Sequence, residues 1–239
     1  MLNSKYSKVL TIILIVAIVI IIGLLIFVGV DWYKAYSTGK DTQNSLEQFN
    51  SYIENQNNER NNNNIANNTN NINQIQDNNI VEEPNGNIVE EPSSNTNNNG
   101  NTSSGGLTYK GIKVAGVIQI PKTKVKYNVL NDPSAKALEV GITIIYGPGL
   151  NQTGNTVLAG HNYRNGTFFS NNNKLSSGDK IYITDLSGKK VSYTIYKKYK
   201  TDPNDFSYAT RSTNGKREIS LTTCTDDSSA RIIIWAKED

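Results

Sequence analysis

After residue 107 the chain consists of short strand-like runs separated by clusters of Gly, Asn, Asp and Ser, and this pattern limits the fold more than any other feature. Eight short strands with turn signals between them are typical of an all-β sandwich or barrel. One short helix is predicted over residues 132–140, with Asp132 as its N-cap and Gly141 just past its end. The dipeptide Ser187-Gly188 indicates a hairpin turn. The predicted strands cover residues 114–120, 124–130, 141–146, 155–159, 179–185, 190–199, 217–224 and 230–237.

An uncharged, apolar stretch covers residues 10–30. A helix of this length crosses the roughly 30 Å hydrocarbon core of a membrane. A cleaved signal peptide is the alternative, but it needs a shorter apolar region and a small-residue cleavage site, which Gly29-Val30-Asp31 does not supply. Lys5 and Lys8 on the short N-terminal side predict a cytoplasmic N-terminus. We therefore expect residues 1–9 inside the cell, an anchor at 10–30, and the rest of the chain outside.

Residues 31–106 are predicted to connect the anchor to the folded domain. The first part, to about residue 56, is compatible with a juxtamembrane helix. From residue 56 to 104, twenty of the 49 residues are Asn and none is aromatic, so this segment is predicted to be a disordered tether. The sequence Asn-Ile-Val-Glu-Glu-Pro occurs at 79–84 and again at 87–92, which we interpret as duplication within the tether. The tether supplies no catalytic group, and we expect it to be dispensable for chemistry.

Residues 107–239 have the size of a single domain. Residues 108–239 contain 19 Lys and Arg against 11 Asp and Glu, a net charge of +8. This charge suits an anionic cell wall, and it equally suits ordinary solubility. Nucleic acid is disfavoured as a partner, because the domain lies outside the cell and its basic residues are scattered instead of clustered with aromatic residues.

The last two predicted strands have matching alternation. If they form a hairpin that turns at Asp227-Ser228, Leu221 meets Ile234 on the apolar face. The same register places Cys224 directly opposite Arg231 on the other face, where side chains of cross-strand partners are close enough to touch. The register that buries the apolar face thus brings a thiol to a guanidinium.

Cys224 is the only cysteine, and His161 is the only histidine. A lone cysteine is most often a buried small hydrophobe, but the face of the strand that carries Cys224 is otherwise polar. His161 alone is compatible with a structural role after a strand, and Arg231 alone with a solvated charge. One histidine and one cysteine are too few for a typical zinc site. Together with Arg231, however, the two residues offer a nucleophile, a proton carrier and an oxyanion clamp.

The segments Ser220-Leu221-Thr222-Thr223-Cys224 and Val157-Leu158-Ala159-Gly160-His161, with Arg231 downstream, resemble the motifs of the sortases. These are membrane-anchored cysteine transpeptidases of Gram-positive cell surfaces. The resemblance covers residues 111–237 together with the position of the anchor. The family pattern is T-L-x-T-C, so Ser220 departs from it mildly and keeps the hydroxyl.

The resemblance implies an eight-stranded β-barrel at 107–239 with one or two short helices. It implies that His161, Cys224 and Arg231 are catalytic and meet in a groove, and that Thr222 and Thr223 contact the substrate. The implied reaction is cleavage of an L-P-x-T-G-like sorting signal through a thioacyl-enzyme, followed by transfer to a cell-wall precursor amine. The implied partners are surface proteins or pilins that carry such signals. No cofactor or metal is expected, and activation by calcium is left open.

Three features favour an anchoring sortase over one that polymerises pilins with a pilin lysine amine. The chain ends directly after its last predicted strand, no D-P-[FW] lid motif precedes the barrel, and the connection over residues 201–216 is short. Two further alternatives are a non-catalytic module that binds the cell wall and a plain cysteine protease. A wall-binding module would have no reason to keep Cys224, His161 and Arg231 together.

Overall fold

The computed structural model describes the backbone of residues 4–73 and 106–239 and contains one long helix and one β-barrel. The helices are α1 (Ser4–Asn73) and α2 (Ala135–Val140). Short 3-10 turns cover Pro121–Thr123 and Asn172–Lys174. The strands are β1 (Thr108–Tyr109), β2 (Ile112–Ile120), β3 (Val125–Leu130), β4 (Ile142–Tyr146), β5 (Gly154–Ala159), β6 (Lys180–Asp185), β7 (Lys190–Thr201), β8 (Arg217–Cys224) and β9 (Arg231–Glu238).

Eight of the strands close into a barrel. They neighbour one another in the order β2-β3-β4-β5-β8-β9-β7-β6, and β6 pairs again with β2. The predicted eight-stranded barrel is therefore confirmed, while the two-residue β1 adds a short ninth strand beside β2. Two neighbouring pairs, β3–β4 and β5–β8, are parallel. Parallel strands end at the same edge of a sheet, so the residues that follow β5 lie close to the end of β8.

Alternating side chains of the strands fill the barrel. On β8, Ile219 and Leu221 point inwards, and on β9 the inward residues are Ile234 and Ala236. All four are almost fully buried. Intervening residues point outwards, because successive side chains of a strand lie on opposite faces. The outer face of this region is therefore free to carry polar and reactive groups.

The short helix begins later than the sequence predicts. Ser134, and not Asp132, is its N-cap, because the Ser134 hydroxyl accepts a hydrogen bond from the Ala137 N–H at 3.2 Å. The Asp132 carboxylate instead accepts from the Ser134 N–H at 2.8 Å, which closes a turn before the helix. The predicted turn at Ser187-Gly188 is confirmed, and Gly188 has a φ of 83°, a conformation that favours glycine.

The long helix α1 includes the candidate membrane anchor. Its segment Val9–Val30 has a mean hydropathy of 3.6 and is long and apolar enough to cross a membrane. The helix continues to Asn73, whereas the sequence predicts a disordered tether from residue 56. Extending an existing helix costs far less than starting one, since each added residue gains a hydrogen bond. The predicted tether over 74–105, including both Asn-Ile-Val-Glu-Glu-Pro copies, lies outside the described residues.

The middle of α1 packs against the barrel wall. Ser45, Leu46, Phe49 and Ile53 follow the three- and four-residue spacing of one helix face, and Phe49 is only 3% exposed. Asp41 forms an ion pair with Lys110 at 3.1 Å, and Ser45 accepts a hydrogen bond from Asn128. The apolar cluster around Phe49 includes Ile112, Val114, Val117, Leu130 and Ala137. Part of the predicted connecting segment is therefore a structural component of the barrel domain.

This packing makes a prediction about Phe49. In the full chain in detergent, Phe49→Ala is expected to weaken docking of α1 by about 3 kcal/mol, because the ring fills a buried site between the helix and the barrel. The measurement is the rate of chymotrypsin cleavage after Tyr52, which should rise. Glu47→Ala, at an exposed position of the same turn, is the control and should leave the rate unchanged. Equal cleavage of all three proteins would contradict the docking.

Candidate active site

Strands β8 and β9 pair in the predicted register. Leu221 lies opposite Ile234, and Cys224 lies opposite Arg231. The two reactive side chains are half-buried, and they lie on the outer face because Leu221 and Ile234 face the interior. We call this surface the site face. It consists of the outward residues Asn155, Val157 and Ala159 of β5, Glu218, Ser220, Thr222 and Cys224 of β8, and Arg231, Ile233 and Trp235 of β9.

His161 is held at the same edge of the barrel by the residues on both sides of it. The Gly160 N–H donates to the Thr222 carbonyl at 3.3 Å. The Asn162 side chain donates to the Cys224 carbonyl at 3.1 Å. The structure therefore brings the loop that carries His161 to the strand that carries Cys224, as the parallel pairing of β5 and β8 requires.

Position 160 requires glycine, because the backbone there passes close to buried core side chains. A Cβ added there would lie 2.8 Å from the Phe169 ring and 3.3 Å from Ile142. Phe169 is fully buried and has no room to move. The Phe169 N–H also donates to the His161 carbonyl at 3.2 Å, which closes the loop behind the imidazole. The Gly-His sequence thus lets the chain leave β5 directly above the core.

Asn162 is a positioning residue that the sequence did not single out. Besides the Cys224 carbonyl, its amide group donates to the Asp226 carboxylate at 2.8 Å. Its own oxygen accepts from the Arg164 N–H at 3.1 Å. Asn162 therefore ties the histidine loop to the β8–β9 turn. The only available signal was its place directly after His161, which does not by itself indicate such a role.

The surroundings of His161 lower its pKa below the usual value of 6.5. Burial contributes most, the Glu139 carboxylate opposes it, and the Arg231 guanidinium adds to the lowering. The Tyr163 ring lies 4.9 Å from the imidazole, centre to centre, and covers one side of it. The Tyr163 hydroxyl donates to the Glu139 carbonyl at 3.4 Å. The neutral imidazole is therefore the main form at neutral pH.

Removing each of these two charges is expected to shift the pKa of His161 in opposite directions. Arg231→Gln is expected to raise the pKa of His161, because it removes a nearby positive charge, and Glu139→Gln is expected to lower it further. The titration can be followed by NMR without assignment, since the chain has one histidine. Arg217→Gln, which removes an arginine at the far end of β8, is the control and should leave the pKa unchanged. Shifts of the same sign in the first two variants would contradict this account.

The two threonines predicted to bind substrate lie on opposite faces of β8. Thr222 shares the site face with Cys224, whereas Thr223 points with Leu221 towards the interior. Both hydroxyls are buried and lack a hydrogen-bond partner among the described residues. A buried, unpaired hydroxyl is costly unless something bonds to it. The Thr222 hydroxyl is therefore unpaired below the surface of the site face, whereas the Thr223 side chain faces the interior.

Among the side chains that the structure describes, no carboxylate forms an ion pair with the Arg231 guanidinium. Over the same residues, no group of three or more His, Cys, Asp and Glu side chains is arranged to hold a metal ion. The positive charge of Arg231 can therefore act on a bound ligand beside Cys224.

Comparisons with known proteins identify the family of the chain. A model of the sortase domain matches residues 118–239, which is about half of the chain. The chain belongs to the sortase family. This sortase is 31% identical over 125 residues to Sortase A of Bacillus anthracis, and the match covers 51% of the chain and 58% of that relative. The sortase thus spans less than two thirds of the length of the curated relative that it matches.

Solved structures of other sortases are also similar. Sortase A from Corynebacterium diphtheriae is 26% identical with a TM-score of 0.49, and the match covers 54% of this chain and 61% of that one. A Clostridium perfringens Sortase D5 transpeptidase is 28% identical with the same TM-score, over 53% of this chain and 79% of that one. Sortase C1 from Streptococcus suis is 24% identical with a TM-score of 0.48, over 53% and 73%.

Proposed function

We propose that this sortase is a cysteine transpeptidase that cleaves an L-P-x-T-G-like sorting signal and transfers the surface protein to a cell-wall precursor amine. The observation that carries the proposal is the cross-strand pair of Cys224 and Arg231, at the edge where the His161 loop is hydrogen-bonded to the same strand. A nucleophile, a proton carrier and a fixed positive charge then lie at one edge of the barrel. Acyl transfer needs these three groups together.

In the first step, the Cys224 thiol passes its proton to His161, and the sulfur attacks the carbonyl carbon of the signal threonine. A thioester bond forms, and the amide bond to the following glycine breaks. His161, as imidazolium, gives its proton to the departing glycine amine. Because the pKa of His161 is lowered, its imidazolium is a stronger acid than an ordinary histidine and donates this proton readily.

In the second step, the acceptor amine attacks the thioester. His161, now neutral, accepts the proton that the amine loses, and the Cys224 sulfur leaves. The products are a new amide bond and the free enzyme, so no oxidant, reductant or cofactor is consumed. A wall-precursor amine is the acceptor that we propose, because the short connection over residues 201–216 and the lack of a D-P-[FW] motif before the barrel favour the anchoring type.

Arg231 is proposed to stabilise the negative oxygen that develops on the carbonyl in both steps. Donors of this kind contribute roughly 3–4 kcal/mol each to the stabilisation of a transition state. Thr222 is proposed to contact the signal, since it lies on the same face of β8 as Cys224. Thr223 would contribute through its backbone, because its side chain faces the interior.

The proposed location follows from the anchor. The segment Val9–Val30 would span the membrane once, with the lysine-bearing N-terminus in the cytoplasm and the barrel outside. The partners would then be surface proteins or pilins with C-terminal sorting signals. The docked part of α1 would hold the barrel close to the membrane through which these substrates emerge.

A library of sorting pentapeptides incubated with the full chain in detergent tests the proposal. We expect a mass increase on the protein for L-P-x-T-G-like members and none for scrambled members. Adding an amine acceptor should suppress the hydrolysed peptide in favour of a transfer product. A glycine-based amine and a lysine side-chain amine, compared at equal concentration, distinguish wall anchoring from pilin polymerisation. Turnover that is unaffected by any amine would instead identify a cysteine protease, and the same assay with calcium or a chelator tests activation.

A further inference from the structure

The loop over residues 202–216, which joins β7 to β8, covers half of the site face. Tyr208 and Ala209 are buried in one cluster with Val157 and Ile233. Trp235 packs against the same cluster. The loop starts beside Arg231, because the last residue of β7 pairs with it, and ends at the far end of β8. It therefore lies along the site face and leaves the Cys224 end half-exposed.

One arginine of this loop reaches into the barrel wall. The Arg211 guanidinium donates to the Glu218 carboxylate at 2.5 Å and to the Asn155 side-chain oxygen at 3.1 Å. Its carbon lies 4.5 Å from the centre of the Trp235 ring, so the planar group also stacks on the aromatic face. The side chains of Arg211 and Glu218 are only 11% and 10% exposed. Arg211 therefore contacts β5, β8 and β9 at once.

Asn155 completes the attachment from the side of β5. Its amide nitrogen donates to the carbonyls of Tyr208 and Ala209 at 3.0 and 2.9 Å. Its oxygen accepts from Arg211 and, at 2.9 Å, from the Ser220 hydroxyl. Both donors and both acceptor positions of this buried amide are thus used. The side chain binds the loop backbone at two successive residues and its arginine as well.

Glu218 is bound from a second side. The Tyr196 hydroxyl donates to the same carboxylate oxygen at 2.7 Å. Burial and this hydrogen bond raise the pKa of Tyr196 to about 12, so the hydroxyl stays a donor at all physiological pH values. Removing Arg211 would leave the Glu218 charge buried beside a neutral hydroxyl, which is unfavourable.

A 15-residue connection loses considerable conformational entropy when it is fixed in one position. Buried ion pairs add little net stability on average. The main effect of the Arg211–Glu218 pair is therefore to fix the position of the loop. The backbone hydrogen bonds to Asn155 and the stacking on Trp235 define one position of the loop. Because the loop starts beside Arg231, its position also determines where the covered part of the site face ends.

We propose that Arg211, Glu218 and Asn155 form a latch that holds the 202–216 loop as a preformed wall of the groove for the sorting signal. This inference rests on the proposed function, because the groove is defined by that substrate. Arg211 is a positioning residue in this account. It acts through the loop, and loosening it lowers peptide binding more than the chemical step at Cys224.

The test compares Arg211→Gln with Arg217→Gln in the full chain in detergent. Arg217 is a matched control, since it forms an arginine–glutamate pair with Glu238 at 2.8 Å at the same end of β8. Hydrogen exchange without any peptide is the first measurement. Arg211→Gln should speed amide exchange over residues 204–212 about tenfold or more, because the loop then opens locally, and Arg217→Gln should not. Unchanged exchange in Arg211→Gln would overturn the latch.

The second measurement is peptide kinetics. Arg211→Gln should raise KM about tenfold with kcat changed less than about threefold, as expected for lost binding instead of lost chemistry. The KM of Arg211→Lys should lie between those of the wild type and Arg211→Gln, because lysine keeps the charge but loses the planar fork of donors. Faster loop exchange with unchanged KM would show that the loop is no wall of the groove.

A double variant separates the latch from a simple unpaired charge. Arg211→Gln combined with Glu218→Gln leaves no buried charge, yet it still lacks the latch. We expect the amides of residues 204–212 to exchange as fast in the double variant as in Arg211→Gln. Restored protection would overturn the proposal, because the single variant would then act through the stranded carboxylate. If the wild-type enzyme turns over no sorting peptide, the proposed function fails, whereas the exchange result still decides whether the latch holds the loop.

Discussion

Cys224→Ala is expected to leave the barrel folded and to abolish every covalent adduct with a sorting peptide. The thiol is the only cysteine of the chain, so no second sulfur can form a thioester. Its side chain is half-buried on the outer face, so replacing it leaves no large cavity in the core. The measurement is the intact mass of the protein after incubation with an L-P-x-T-G-like peptide, and turnover should disappear with the adduct.

Two controls make this result specific. Thermal unfolding should show nearly the same midpoint for Cys224→Ala and the wild type, which excludes loss of the fold. Hydroxylamine should release the wild-type adduct, because it cleaves thioesters and leaves amides intact. An adduct on the Cys224→Ala protein, or a wild-type adduct that resists hydroxylamine, would place the nucleophile elsewhere.

Arg231→Lys is expected to lower kcat by about 10²–10³-fold with little change in KM. Lysine retains the positive charge at the position opposite Cys224 but loses the planar fork that can donate two parallel hydrogen bonds. The oxygen of the bound signal is negative only as the transition state forms, so a lost donor should reduce the chemical step instead of binding. Steady-state kinetics with one sorting peptide measures both constants.

Arg217→Lys is the matched control for this variant, because it makes the same substitution at the opposite end of β8. Its kinetics should equal those of the wild type. The rate at which iodoacetamide alkylates Cys224 should change little in Arg231→Lys, since the charge beside the sulfur remains. If Arg231→Lys instead keeps nearly full kcat and raises KM, the guanidinium docks the substrate and backbone amides hold the oxyanion.

Local patterns in the sequence predicted the parts of the site that depend on strand alternation. The apolar faces of β8 and β9, together with a turn at Asp227-Ser228, predict the register that places Cys224 opposite Arg231. The eight barrel strands were also predictable, because each is a short run bounded by turn residues. The N-cap of α2 was misplaced by two residues, since Asp132 and Ser134 are both good caps and only their hydrogen bonds distinguish them.

Other features depend on contacts between residues far apart in the chain, and no local pattern encodes them. Asn162 reaches a strand end 62 residues away, and Arg211 reaches Asn155 across 56 residues. The docking of Phe49 on the barrel was missed because residues around it are mostly polar, and a single apolar helix face of three or four residues is a weak signal.

By itself, the sequence determined the apolar helix that is long enough to span a membrane, the all-β domain, the Cys224–Arg231 register and the resemblance to the sortases. Each of these follows from residue types at short, regular spacing, where the chain's own geometry decides which side chains share a face. Only the tertiary structure decided that β5 and β8 are parallel neighbours, that the residues before and after His161 are hydrogen-bonded to the Cys224 strand, and that α1 and the 202–216 loop cover parts of the barrel. These features arise when the barrel closes, because closure brings distant segments together and buries the polar groups that must then find partners.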